Sequence, residues 1–202
     1  MTEFILVRHG KPTYDEVVDA GFRGHGLALA PLSDKGIKEV KKLSKNDIFN
    51  NSDILISSPY TRAMQTASII AKENDLDINV EVLLHEWIPD LSNNYNTTDE
   101  FLKLIRLAKD EYVKSLNDPN FNFSDKTESL LHVRNRALTT LEKYTNYDKV
   151  IVVCHGLLIS TLFKEKVKLH TGSFIMITSD YLEENFSFNS KAVKNKIIKI
   201  VK

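Results

Sequence analysis

Two short, wholly apolar runs, Phe4-Ile5-Leu6-Val7 and Val150-Ile151-Val152-Val153-Cys154, read as strands buried on both faces, the pattern of a parallel sheet. Asp53-Ile54-Leu55-Ile56 predicts another strand, and Ile78-Asn79-Val80-Glu81-Val82 alternates as a half-exposed strand does. Helical spacing lies between them. Ser33 and Asp34 are cap-type residues ahead of Ile37, Val40 and Leu43/Ile48, which predicts a helix starting after Leu32. Ser58-Pro59 reads as an N-cap with proline at the first helical position, and Ala63, Thr66/Ala67, Ile70 and Ala71 give that helix a small apolar face. Thr127 to Tyr144 is a further helix with Leu130, Leu131, Val133, Ala137, Leu138 and Leu141 on its buried side. His155-Gly156 opens one more, running through Phe163. Phe174 to Ile177 and Ile197 to Val201 read as closing strands, joined by a turn or hairpin at Leu182 to Ser190.

The pattern changes between Trp87 and Lys126. Asp99 to Leu116 reads as one helix bracketed by Asn-rich and Pro-containing loops, predicting a helical lid inserted at residues 87–126 of a single domain spanning 1–202. Strands alternating with helices predict an α/β fold: a three-layer α/β/α sandwich whose mostly parallel sheet carries helices on both faces. In such sheets ligands bind beyond the carboxyl ends of the strands. The residues to be read together are therefore Arg8-His9-Gly10, Ser57 to Arg62, His85-Glu86 and His155-Gly156.

Composition narrows the partners. Lys+Arg and Asp+Glu both number 27 in 202 residues, so no basic excess points to nucleic acid or to an anionic membrane surface, and the expected ligand is small. A single cysteine, Cys154, excludes an internal disulfide, and Met1-Thr2-Glu3-Phe4 lacks the basic flank and apolar run of a signal peptide. A cytoplasmic protein is expected, without a membrane span, since no apolar run approaches the ~20 residues that one requires.

The strand-end inventory of two arginines, two or three histidines and a carboxylate fits a phosphate pocket. Arginine presents a planar fork that matches phosphate oxygens, and only six of the 27 cationic residues are arginine, so two of them at strand ends stand out. A histidine among cations is held neutral, leaving a ring nitrogen able to attack phosphorus. Glu86 would supply the acid that protonates the leaving alcohol and the base that later activates water.

The same residues carry a family resemblance. Leu6-Val7-Arg8-His9-Gly10, Pro31 to Gly36, Ser57 to Ala67, Leu84-His85-Glu86, Glu128-Ser129 with Arg134, and Val153 to Gly156, in that order over nearly the whole chain, resemble the histidine phosphatase superfamily. That superfamily includes cofactor-dependent phosphoglycerate mutases, and the likeness is to its branch of small phosphatases. The resemblance implies that His9 is the nucleophile that becomes phosphohistidine. It also implies that Arg8, Arg62 and His155 bind the phosphoryl oxygens and that Glu86 is the proton donor, with no metal and no cofactor. Many members carry Glu-Thr after Arg-His-Gly and an asparagine a few residues on, where this chain has Lys11-Pro12-Thr13 and Asp15. Thr13 and Lys11 are candidates to replace that function, and Arg23 and His25 in the Gly21 to Gly26 segment are candidate substrate-loop residues.

Rival motifs fail on spacing. Cys154 lacks the arginine of a Cys-x5-Arg loop, His85-Glu86 has no second histidine for a zinc motif, and Gly21 to Gly26 lacks the third glycine and preceding strand of a dinucleotide fingerprint. The expected activity is metal-independent hydrolysis of a small phosphorylated metabolite through a phosphohistidine. The alternatives are a primed phosphoglycerate mutase, which is disfavoured by the short insertion, and a non-catalytic phosphate-binding module, which would not require Glu86. A homodimer is compatible with this reading.

Overall fold

The computed structural model describes residues 1–92, 99–100, 103–104, 126–165 and 167–188. Five strands form one sheet: β1 (Glu3–Arg8), β2 (Ile54–Ser57), β3 (Ile78–Val80), β4 (Lys149–Cys154) and β5 (Ser173–Thr178), in the order β3-β2-β4-β1-β5. β1 lies parallel to β4, and β2 parallel to both β4 and β3, while β5 closes the sheet antiparallel to β1. Ile56 stands beside Val152, and Leu6 stands beside Val152 on the other side. The strand ends therefore finish level, placing Arg8, Ser57 and Cys154 at one edge of the sheet.

Alternation splits the apolar runs into two cores, because successive strand side chains point to opposite faces. Phe4, Leu6, Ile56, Val150, Val152 and Cys154 face one way, against Val133, Ala137, Leu138 and Leu141 of α4 (Leu130–Glu142) and Leu157, Leu158 and Ile159 of α5 (Gly156–Thr161). Ile5, Val7, Leu55, Ile151 and Val153 face the other way, against Val40 of α2 (Asp34–Leu43) and Ala63, Ala67, Ile70 and Ala71 of α3 (Thr61–Asn74). The expected three layers with a mostly parallel sheet are present.

Several boundaries differ from those read off the chain. The helix expected from Ser58-Pro59 begins at Thr61 with Tyr60 as its N-cap residue, because the Ser58 hydroxyl is engaged with His155 and with the Tyr60 N–H. β3 stops at Val80 and runs into a 3-10 turn at Val82–Leu84. Where a turn was expected after Leu182, that residue lies in α6 (Ser179–Asn185), whose cap Thr178 accepts from the Tyr181 N–H at 3.3 Å. The stretch from Lys11 to Leu29 holds a short α1 (Asp15–Asp19) and a 3-10 turn at Gly24–Leu29. Most of the Asp99 to Leu116 helix and all of the Ile197 to Val201 strand lie outside the described residues. Among those described, no helix is long and apolar enough to cross a membrane.

The segment after β1 lies directly on the first turn of α2. Ser33, the cap of that helix, donates its hydroxyl to the Lys11 carbonyl at 2.9 Å and accepts from the Gly36 N–H at 3.1 Å. A Cβ on Gly36 would overlap the Lys11 carbonyl oxygen and stand 2.8 Å from its nitrogen, so only glycine permits this approach. Gly36→Ala gains helix propensity of about 1 kcal/mol, yet it must push away the backbone two residues beyond His9. Net destabilisation of about 1–3 kcal/mol is expected from such overpacking, read as a lowered urea midpoint at unchanged m-value.

Candidate active site

β1 delivers Arg8 and His9, and β4 delivers His155, at the same edge of the sheet. His9 is 5% exposed and His155 is fully buried. The His9 backbone is held on both sides: its N–H donates to the Cys154 carbonyl at 3.1 Å, and its carbonyl accepts from the Gly172 N–H at 3.1 Å. The ring is oriented by Nδ1, which lies 2.8 Å from the Gly10 carbonyl. A carbonyl can only accept, so Nδ1 carries the proton and Nε2 keeps its lone pair. Arg62 Nε donates to that Nε2 at 3.2 Å.

His155 caps the start of α5, its ring centroid 5.0 Å from that of His9. Its Nε2 lies 2.8 Å from the Ser58 hydroxyl, which also accepts from the Tyr60 N–H at 3.3 Å. Burial and the Arg62 charge hold the pKa of both histidines well below their ordinary value, so both rings are neutral. Arg8 donates through Nη1 to the Leu169 carbonyl at 2.7 Å. Its guanidinium lies over Gly156, where a Cβ would stand 3.0 Å from Cζ, so the glycine that opens α5 makes room for it. Three buried nitrogens of this group, Arg8 Nε, Arg62 Nη1 and His155 Nδ1, have no hydrogen-bond partner among the described residues.

Glu86 approaches from the segment after β3. Its carboxylate accepts from the N–H groups of Trp87 at 3.0 Å, Leu158 at 3.2 Å and Leu157 at 3.3 Å, which seats it at the first turn of α5. Glu86 and Arg62 line a cleft whose walls include Tyr60, Trp87, Ile88 and His25. The Arg62 guanidinium lies 4.9 Å from the centre of the Tyr60 ring, and burial pushes the Tyr60 phenol up to about 12, so it stays protonated. Among the described residues, no group of three or more His, Cys, Asp or Glu side chains could hold a metal ion.

The five residues singled out at the strand ends, Arg8, His9, Arg62, Glu86 and His155, are thus brought together. His25 is exposed on the cleft wall, whereas Arg23 is exposed ahead of the 3-10 turn and outside that wall. Lys11 is exposed, and its backbone serves the start of α2. Thr13 donates its hydroxyl to Asp15 Oδ2 at 2.8 Å, so these two side chains are engaged with each other. Cys154 is buried in the core, and burial raises its thiol pKa, which suits a packing residue.

The sequence places Ser58 and Tyr60 in the Ser57 to Arg62 segment without a role in the site, and it does not point to Arg136. Ser58 was absorbed by its resemblance to a helix cap. Arg136 is three residues after Val133, on the apolar stripe of α4, and it is 5% exposed. An arginine on a core-facing stripe was the available signal. Arg134 instead donates to the Thr161 carbonyl at 2.7 Å and lies over Phe186. Glu128, which precedes the cap Ser129 of α4, is buried against Arg136.

The chain is similar in sequence and in fold to known proteins. The family model of the histidine phosphatase superfamily (branch 1) matches residues 4–184. Phosphoserine phosphatase 1 of Hydrogenobacter thermophilus is 27% identical over 158 residues, covering 77% of this chain and 71% of that protein. The fold is shared with Bacillus stearothermophilus YhfR, at TM-score 0.68 and 21% identity over 95% of this chain and 96% of that one. It is also shared with mycobacterial glucosyl-3-phosphoglycerate phosphatase in complex with VO3, at TM-score 0.67 and 17% identity over 90% and 94% of the two chains. With the family motif spread over the strand ends that build the site, this chain belongs to the histidine phosphatase superfamily, branch 1, and is a phosphatase.

Proposed function

We propose that this phosphatase is a metal-independent phosphomonoesterase that hydrolyses a small phosphorylated metabolite through a phosphohistidine at His9. The observation that carries this reading is the set of buried nitrogens without a partner among the described residues, Arg8 Nε, Arg62 Nη1 and His155 Nδ1, grouped around a neutral histidine whose unprotonated ring nitrogen accepts from Arg62 Nε. Buried donors left without a partner cost roughly 1–3 kcal/mol each, and three phosphoryl oxygens would satisfy them. In the tautomer in which Ser58 donates to Nε2 of His155, the proton of that ring sits on Nδ1 and makes Nδ1 a donor to the phosphoryl group.

The chemistry follows from this placement. The Nε2 lone pair of His9 forms a bond to phosphorus while the ester P–O bond breaks, and the departing oxygen takes the proton of Glu86. Glu86, now a carboxylate, accepts a proton from water as the water oxygen attacks phosphorus. The N–P bond then breaks, inorganic phosphate leaves and His9 regains its lone pair. Arg8, Arg62 and His155 offset the charge on the equatorial oxygens throughout, and that fixed electrostatic arrangement supplies most of the rate in phosphoryl transfer. The relative named phosphoserine phosphatase and the structural neighbour named glucosyl-3-phosphoglycerate phosphatase support a phosphorylated small molecule as substrate.

Hydrolysis of an aryl phosphate in the presence of chelator should proceed in the wild type and vanish in His9→Ala, with the phosphoenzyme trapped by rapid quench also lost. Chelator-sensitive turnover, or a phosphoenzyme surviving in His9→Ala, would sink the reading. Truncating one oxyanion donor costs on the order of 10²–10³ in rate, so Arg62→Ala should lose about that much in kcat/KM.

The neutral state of His9 is directly measurable. Protonation would remove the attacking lone pair, and burial together with Arg62 holds the His9 pKa below 6.5. Imidazole NMR signals of His9 should therefore titrate below 6.5, and Arg62→Met, which removes one cause of the depression, should move that titration upward. Since His9 and His155 take up protons more readily in the unfolded chain, stability should also fall as pH drops below 6.5.

A further inference from the structure

Glu86 is the member of the site that neither a strand nor an α-helix carries or adjoins, since β3 ends six residues earlier. Its backbone is nonetheless held on both sides by a buried ion pair that the catalytic steps above do not use. Arg136 and Glu128 are each 5% exposed and form a forked pair, Nε to Oε1 at 2.7 Å and Nη2 to Oε2 at 3.2 Å. The remaining guanidinium nitrogen, Nη1, donates to the carbonyls of Leu83 and of His85, the latter at 2.7 Å. Glu128 holds the other flank. Its Oε2 accepts from the Ile88 N–H at 3.0 Å, its N–H donates to the Ile88 carbonyl at 3.0 Å, and its carbonyl accepts from the Trp87 indole N–H at 2.6 Å.

We infer that the Arg136–Glu128 pair is the positioning device for the proton donor, clamping residues 83–85 on one side of Glu86 and residues 87–88 on the other. Neither residue lines the cleft that Arg62 and Glu86 share. A buried ion pair of this kind contributes little net stability, because desolvation of both charges offsets their attraction. Its value here is geometric. Arginine presents several donors in a rigid plane, so one side chain can hold a carboxylate and two carbonyls together, which a lysine ammonium on a flexible stem does not do. The carboxyl group of Glu86 is then aimed by two contacts to α5 and by a backbone hydrogen-bonded on both flanks.

The inference rests on Glu86 acting as general acid, and the test separates the two claims. General acid catalysis matters most for poor leaving groups, so kcat/KM would be measured for aryl phosphates running from dinitrophenyl to unsubstituted phenyl phosphate. This ratio reports the steps through transfer to His9 and is blind to later hydrolysis. Glu86→Gln should lose about 10²-fold or more on phenyl phosphate and much less on dinitrophenyl phosphate. Arg136→Met should show the same steepened dependence, with Arg136→Lys between it and the wild type. Affinity for inorganic phosphate, held by Arg8, Arg62 and His155, should stay within about twofold in both Arg136 variants.

A lone buried Glu128 would itself destabilise the fold. The double variant Glu128→Leu/Arg136→Met removes both charges and should show the same steepening if the single variant does not fold. A folded Arg136→Met or double variant with the wild-type leaving-group dependence, beside a steepened Glu86→Gln, overturns the positioning role and leaves Glu86 as the acid. A flat dependence in Glu86→Gln overturns the acid assignment and this inference with it.

Discussion

Two arginines and two histidines share the buried edge where β1 and β4 end, and their charges cannot all be present in a space with so little water. Arginine does not give up its proton, so the histidines must. Burial is the largest cause of the lowered pKa of His9 and His155 and the Arg62 charge adds to it, and together they produce the neutral nucleophile that phosphoryl transfer requires. One crowding of like charge does two things. It keeps the attacking nitrogen unprotonated, and it leaves cationic donors that no described residue satisfies.

The rest of the fold makes that crowding tolerable. The side chains of β1 and β4 are buried on both faces, so the positions of Arg8, His9 and His155 follow from the level ends of two paired strands rather than from loops. Close approaches at Gly36 and Gly156 hold the chain beyond His9 against α2 and let the Arg8 guanidinium lie on α5. Rigid elements place reacting groups more accurately than loops do. Of the five site residues, Glu86 lies farthest from a strand or an α-helix, and it is there that the structure adds the Arg136–Glu128 pair.

Much of this was legible beforehand. The apolar runs at Phe4 to Val7 and Val150 to Cys154 announced two-sided burial, and the rule that ligands bind beyond strand ends gathered Arg8, His9, Arg62, Glu86 and His155 before any coordinates. Less legible were roles that depend on a partner far along the chain. Ser58 carried the signature of a helix cap, but its hydroxyl faces His155, 97 residues away. Arg134 and Arg136 are indistinguishable as letters, and only the helix face separates an arginine over Phe186 from one buried against Glu128.

The chain by itself determined the layered fold, the edge of the sheet at which chemistry would gather and the residue types that would meet there, because periodicity and residue chemistry are local properties. Tertiary structure decided which nitrogen of His9 carries the proton, which donors are left without partners and how Glu86 is aimed. Those depend on distances between elements, such as the 3.2 Å from Arg62 to His9, which no spacing along a sequence encodes.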